Sequence, residues 1–233
     1  MLNVSRLVKK VFLTAMLAVS CVFADGNPFF PTREGISFTM ASLNAKGKVE
    51  DYTRTTIKKV EEKGDTLAVT SVFEFLDKKR QPKKGEAAEA TINIVNGVVV
   101  FDMPNFFEDQ ENSDFPVKLE IEGNYLELPT NISVGEEFAR LRVALIISTP
   151  LRDLTRTVEV KHKCVAFEPV TVPAGTFDAY KIEETITHKT IMGRTREEIN
   201  FMWYARNLGT IKTEKRDRKG KFISGTELVE FKN

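Results

Sequence analysis

The amino-acid sequence predicts an all-β protein: a strongly curved antiparallel meander forming a closed or half-closed, barrel-like sheet. Three observations lead there. Apolar and polar residues alternate with a period of two along most of the chain, turn dipeptides separate the alternating runs at hairpin spacing, and helical periodicity is nearly absent. One apolar and one polar face per strand marks an antiparallel sheet over a single core. A meander this long curls to hide its edges.

The strands follow in order. Leu67, Val69, Phe73 and Phe75 share one parity, against Thr66, Thr70 and Glu74. Leu141, Val143, Leu145 and Ile147 oppose Arg140 and Arg142. Leu154, Val158 and Val160 oppose Thr155, Thr157, Glu159 and Lys161, and the same strand continues through His162 and Cys164. Alternation there sets Cys164 beside His162 and Ala166, with Val165 and Phe167 opposite. Tyr180, Ile182 and Ile186 form the next apolar face, Ile199, Phe201 and Trp203 another, and Ile223, Val229 and Phe231 the last.

Turn signals fall between these runs at Lys46-Gly47, Lys63-Gly64-Asp65, Asn96-Gly97, Glu122-Gly123-Asn124 and Lys219-Gly220. Asn96-Gly97 suits a two-residue hairpin turn because both residues tolerate positive φ. Asp77 to Gly85, rich in Lys, Arg and Pro, reads as a longer solvated loop. Met103–Gln110 reads as one or two helical turns with Phe106 and Phe107 inward, and Asn131–Glu137 as a connection. Neither has the composition of an interdomain linker and no repeat is present, so residues 25–233 read as one β-rich domain.

Two segments stand out within the meander. In the first, Pro173 fixes φ, Gly175 permits a tight reversal, and Phe177 opens the next strand. In the second, a strand ends on Trp203 and Tyr204, turns around Asn207 and Gly209, and resumes. Pro173, Gly175, Phe177, Trp203, Tyr204 and Gly209 are read as turn and packing residues.

The first 24 residues form a separate unit. Arg6, Lys9 and Lys10 precede an apolar run from Val11 to Val19, and Val22-Phe23-Ala24 then offers a small-residue cleavage site. That layout is a secretory signal peptide, and the run is too short to span a bilayer. A second route reads Ala18-Val19-Ser20-Cys21 as a lipoprotein signal with Cys21 acylated. The expectation is an exported protein, periplasmic or secreted, with an outer-membrane-anchored lipoprotein as the alternative. No transmembrane segment is expected in the mature chain.

Composition narrows the function. The 34 basic residues include Arg6, Lys9 and Lys10, so the mature chain sets 31 against 33 acidic residues. Interspersed charges near balance give no electrostatic case for nucleic acid or for an anionic membrane surface. Seventeen Phe against four Tyr and one Trp suit an aromatic-packed core. After cleavage only Cys164 remains, so no internal disulfide can form, and a buried strand thiol is expected. His162 and His188 are the only histidines, with no metal-ligand spacing around them. The doublets Glu183-Glu184 and Glu197-Glu198 point to opposite faces of a strand and cannot act as acid–base pairs. No nucleophile elbow, phosphate loop or dinucleotide fingerprint occurs. No cofactor or metal is expected.

Pro-Ala-Gly-Thr-Phe at 173–177, Tyr180-Lys181-Ile182, Trp203-Tyr204-Ala205 and Leu208-Gly209-Thr210-Ile211-Lys212 together carry a resemblance. With Asn27-Pro28-Phe29-Phe30-Pro31 near the start, they are similar to the TapB-like group of bacterial envelope proteins. That resemblance implies an envelope location and carries over no activity or catalytic residues. The expected function is non-catalytic binding of an apolar or glycan-like ligand, or of a protein partner. The alternatives are an exported hydrolase using carboxylates such as Asp102 or Glu184, and a structural component that presents a strand edge.

Overall fold

The computed structural model describes residues 27–100, 117–123, 127–190, 192–217 and 219–232. The helical turns expected over Met103–Gln110, Asp102, and the processing sites at Cys21 and Ala24 lie outside them. The described residues form strands and turns without helix. The strands are β1 Ser37–Leu43, β2 Val49–Lys63, β3 Thr66–Leu76, β4 Pro82–Val95, β5 Val98–Val100, β6 Val117–Gly123 and β7 Glu127–Leu128, followed by β8 Glu137–Ser148, β9 Asp153–Val172, β10 Gly175–Lys189, β11 Thr195–Ala205, β12 Gly209–Arg216 and β13 Phe222–Lys232.

They make one antiparallel sheet in the order β6-β8-β9-β10-β11-β12-β13-β1-β2-β3-β4-β5-β7. The first and last strands pair at its centre, Phe38 opposite Phe231. Meander connectivity follows from the turns. Asn96 and Gly97 take φ of 49° and 78°, the two-residue reversal that their identities allow. The loop after β3 is shorter than its composition suggests: Asp77 Oδ1 accepts from Lys79 N at 2.8 Å and Gln81 N at 2.9 Å, and Pro82 already begins β4. That is an Asx-type turn, which needs only five residues.

The sheet does not close into a barrel. Its edges are β6 and the two-residue β7, which share no ladder among the described residues. The sheet instead folds across itself, so that Ile57, Leu67, Val69, Ile94 and Val99 from β2–β5 pack in one cluster with Cys164 and Ile182 from β9 and β10. We call this side the inner face. A second cluster lies on the other side of β10 and β11 and gathers Val170, Val172, Ala179, Trp203, Ala205 and Ile211. Both faces of β10 and β11 are therefore covered along this stretch, which is why Met202 and Trp203 both find packing partners.

Register shifts occur in several ladders, and two of them overturn the expected alternation. Between β9 and β10 the register steps so that Ile182 faces Cys164, while Lys181 faces Ala166 and Tyr180 faces Phe167. This bulge moves Phe167 to the side of Cys164 and Ala166 away from it, the reverse of the parity expectation. Phe167 is 53% exposed and packs tilted against Tyr180, with ring centroids 4.6 Å apart. A register shift late in β3 likewise leaves Phe75 at the surface and buries Leu76.

Candidate functional site

One end of the inner face is plugged by the segment before β1. Phe29 is fully buried and meets Tyr180 edge-on, with centroids 5.5 Å apart and planes at 82°. Buried Asn27 holds it there. Its Nδ2 donates to Gly97 O at 2.9 Å and Leu128 O at 2.7 Å, while its Oδ1 accepts from Phe29 N at 2.8 Å. One amide side chain thus ties the β4–β5 turn to edge strand β7. Asn207 N donates to Pro28 O at 2.7 Å, which joins the β11–β12 turn to the same plug.

Most of the residues singled out in the sequence lie at or near this closed end. Gly209 has φ +82°, and a Cβ there would sit 3.1 Å from Phe29 O, so both backbone angle and space require glycine. Pro173 and Ala174 make the two-residue link between β9 and β10, Gly175 begins β10 with φ +141°, and Phe177 packs half-buried against the second cluster. Trp203 is nearly buried and donates from Nε1 to Glu168 Oε1 at 2.9 Å. Lys181 Nζ lies 4.7 Å from the Phe201 ring centre and 5.1 Å from that of Trp203. Tyr204 faces inward, its hydroxyl 3.7 Å from Met202 Sδ, and burial pushes the hydroxyl pKa up.

Away from the plug the same face turns polar. Register aligns His162 of β9, Glu184 of β10, Asn200 of β11, Lys215 of β12 and Ser224 of β13 in one row across the sheet. His162 Nε2 lies 3.1 Å from Glu184 Oε1, and Asn200 Nδ2 donates to Glu184 Oε2 at 2.6 Å. Burial by itself raises the Glu184 pKa. Hydrogen bonds from His162 and Asn200, with the positive charges of His162 and Lys215, outweigh it and hold the carboxyl below its ordinary value. Lys215 Nζ donates to Glu198 Oε2 at 2.5 Å, and that bond, larger than the opposing burial, lowers Glu198 as well.

An open trough of about 440 Å³ runs beside this row. Glu184, Asn200, Lys215 and Met202 line one part, and Thr213, Thr226 and Ser42 another. Thr213 and Thr226 bond to each other through their hydroxyls at 2.9 Å, while Asn200 Oδ1 is buried without a hydrogen-bond partner among the described residues.

The sequence had isolated Glu184 and His162 on separate strands without bringing them together. Asn200, Lys215 and the threonines carried no signal at all, because cross-strand register rather than spacing unites them. Cys164 shares the face of His162 but is fully buried, donates to Ala166 O at 3.6 Å, and has its thiol pKa raised chiefly by burial. Among the described residues no three His, Cys, Asp or Glu side chains are grouped to hold a metal ion. No helix among them is long and apolar enough to cross a membrane.

Solved structures share this architecture. A protein from Bacteroides fragilis, described as exported and of YmcC-like fold, is 20% identical over 91% of this chain and 100% of its own, with a TM-score of 0.61. A protein from Parabacteroides distasonis, described as a lipoprotein, is 20% identical over 89% of this chain and 100% of its own, with a TM-score of 0.62. At that identity the likeness shows the fold. No functionally curated protein matches the sequence. The DUF3108-like family model matches residues 33–228, from just before β1 into β13 and across the whole polar row, and the chain belongs to that family.

Proposed function

We propose that this protein is a non-catalytic, exported binding domain of the bacterial envelope that takes a glycan-like ligand in the inner-face trough. One observation carries the reading. The trough sets carboxylate, amide, ammonium and hydroxyl groups beside Leu43, Phe201 and Met202 within one open space. Paired donors and acceptors beside the apolar surface of Leu43, Phe201 and Met202 suit a polyhydroxylated ligand that also presents an apolar ring face better than a purely apolar one. Asn200, which lines the trough, keeps a buried Oδ1 without a hydrogen-bond partner among the described residues, an unmet polar group beside the proposed site.

The carboxylates favour binding over hydrolysis. A glycosidase acid needs a raised pKa, whereas Glu184 and Glu198 are both held low. Both oxygens of Glu184 are engaged by its neighbours.

Export is supported by the basic, apolar and small-residue layout of residues 1–24, and by the exported and lipoprotein descriptions of the two structural neighbours. Cleavage after Ala24 gives a periplasmic or secreted protein. The lipoprotein neighbour favours the second route, acylation at Cys21. Intact mass and N-terminal sequencing of envelope material separate the two. The motifs at 173–182 and 203–212 support assignment to the TapB-like group within the wider family.

Saturation-transfer NMR against a panel of envelope oligosaccharides tests the binding reading. Binding should appear with the wild type and fall in Asn200→Ala and Ser224→Ala. A panel that gives no transfer, or transfer unchanged in both variants, would sink it.

A further inference from the structure

The inner face holds a second recess beyond the polar row, where β9, β10 and β11 run out. His188 of β10 faces Arg196 of β11 on one side and Val158 of β9 on the other. Arg156 lies two residues from Val158 and so on the same face. The β10–β11 turn adds Arg194: Thr190 N donates to Arg194 O at 2.9 Å, Gly193 N to Thr190 O at 2.8 Å, and Arg194 N to Thr190 Oγ1 at 3.2 Å. The recess encloses about 680 Å³, lined by Arg156, His188, Thr190, Arg194, Arg196 and Glu198 among others.

Its charge is not neutralised. Glu198, the one carboxylate in the lining, is already bonded to Lys215 at 2.5 Å and paired with Arg196 at 3.2 Å. Neither Arg156 nor Arg194 makes an ion pair among the described residues. His188 Nδ1 is buried without a hydrogen-bond partner among them. Buried polar atoms are normally satisfied, and guanidinium groups with no protein acceptor are the usual partners of oxyanions.

We propose that this recess binds a phosphoryl group. The donors come from three sides: β9, the β10–β11 turn and β11. A tetrahedral oxyanion presents acceptors in as many directions, whereas the two coplanar oxygens of a carboxylate match a single guanidinium fork. The site shares only the rim residue Glu198 with the polar row's ion pairs, and it stands whether or not the trough binds a glycan. A soluble phosphorylated sugar and a phospholipid headgroup both offer this chemistry.

NMR titration of the purified protein with inorganic phosphate, at ionic strength held constant with sodium chloride, tests it. Saturable shifts are expected at the Arg156 and Arg194 Nε–H groups and the His188 ring. Arg156→Gln/Arg194→Gln should weaken phosphate binding about tenfold or more and leave the melting temperature unchanged, since both side chains are exposed. Lys219→Gln/Lys221→Gln should bind as the wild type does. Sedimentation with vesicles of phosphatidylglycerol in phosphatidylcholine distinguishes the sources. Arginine-dependent pelleting assigns a lipid headgroup, and phosphate binding without pelleting assigns a soluble ligand. Absence of saturable shifts, or shifts and pelleting that persist in the double arginine variant, would overturn the proposal.

Discussion

The two ends of the inner face share β10 and β11 and do opposite things. Around Phe29 no buried side-chain polar atom is left unpartnered among the described residues: the Asn27 amide makes three bonds to backbone, and the rings of Phe29 and Tyr180 pack edge to face. Toward His188 polar groups are left over, with Asn200 Oδ1 and His188 Nδ1 both buried and unpartnered among the described residues. The first end spends its residues on holding two halves of an open sheet together. The second leaves buried polar atoms without protein partners beside open recesses, and folding alone supplies no reason for them.

The largest expected effect falls at the plug. Phe29→Ala should destabilise the protein by about 3–5 kcal/mol, the usual range for emptying a buried aromatic site, measured by denaturant unfolding. A loss well below this would mean that the sheet holds together without its plug. Asn27→Ala is next. It leaves the carbonyls of Gly97 and Leu128 without their amide donor, and should cost about 1–3 kcal/mol. If Asn27→Ala instead left stability unchanged, water would be replacing the amide and the end would be more open than described.

At the polar end the expected losses are smaller and depend on pH. The folded-state pKa of Glu184 lies below its unfolded value, so its contribution is present above the ordinary carboxylate range and is lost as pH falls through the folded value. Glu184→Gln should therefore lower stability at neutral pH by about 1 kcal/mol and flatten the acid limb of the stability profile. An acid limb identical to that of the wild type would show that the His162 and Asn200 bonds do not favour the ionised form.

The outer face supplies the smallest effect. Lys181→Ala should cost about 0.5–1 kcal/mol, because its ammonium lies over the Phe201 and Trp203 rings. Asp178→Ala, on an exposed position of the same strand, should stay within about 0.5 kcal/mol of the wild type. Equal behaviour of the two would remove the aromatic contact from the account.

The plugged end was more legible in the sequence than the polar end. Turn chemistry is local: Pro173-Ala174-Gly175 and Asn207-Leu208-Gly209 announce reversals through their own backbone preferences, and the structure places reversals there. Period-two patterning likewise found β8 to β11. It failed where one residue was added, at the bulge beyond Cys164 that swaps Phe167 and Ala166, because parity cannot detect a bulge. Of the closed and half-closed sheets that the sequence allows, the structure has the open one, since hairpin spacing implies curvature but does not pair the two edges. The polar row was invisible for a different reason. His162, Glu184, Asn200 and Lys215 lie on four strands and meet only through register, which composition does not encode. The role of Asn27, reaching residues 70 and 101 positions away, was hidden in the same manner.

Amide chemical-shift mapping of the isotope-labelled protein with an envelope oligosaccharide that scores in the saturation-transfer screen tests the division between the two ends most directly. Perturbations should centre on Glu184, Asn200, Thr213, Lys215 and Thr226 and leave Asn27, Phe29 and the 173–177 and 203–209 segments unmoved. Perturbations centred instead on Gly175, Phe177 or the Trp203–Gly209 turn, with the polar row silent, would make the motif-rich end the binding site and contradict the account.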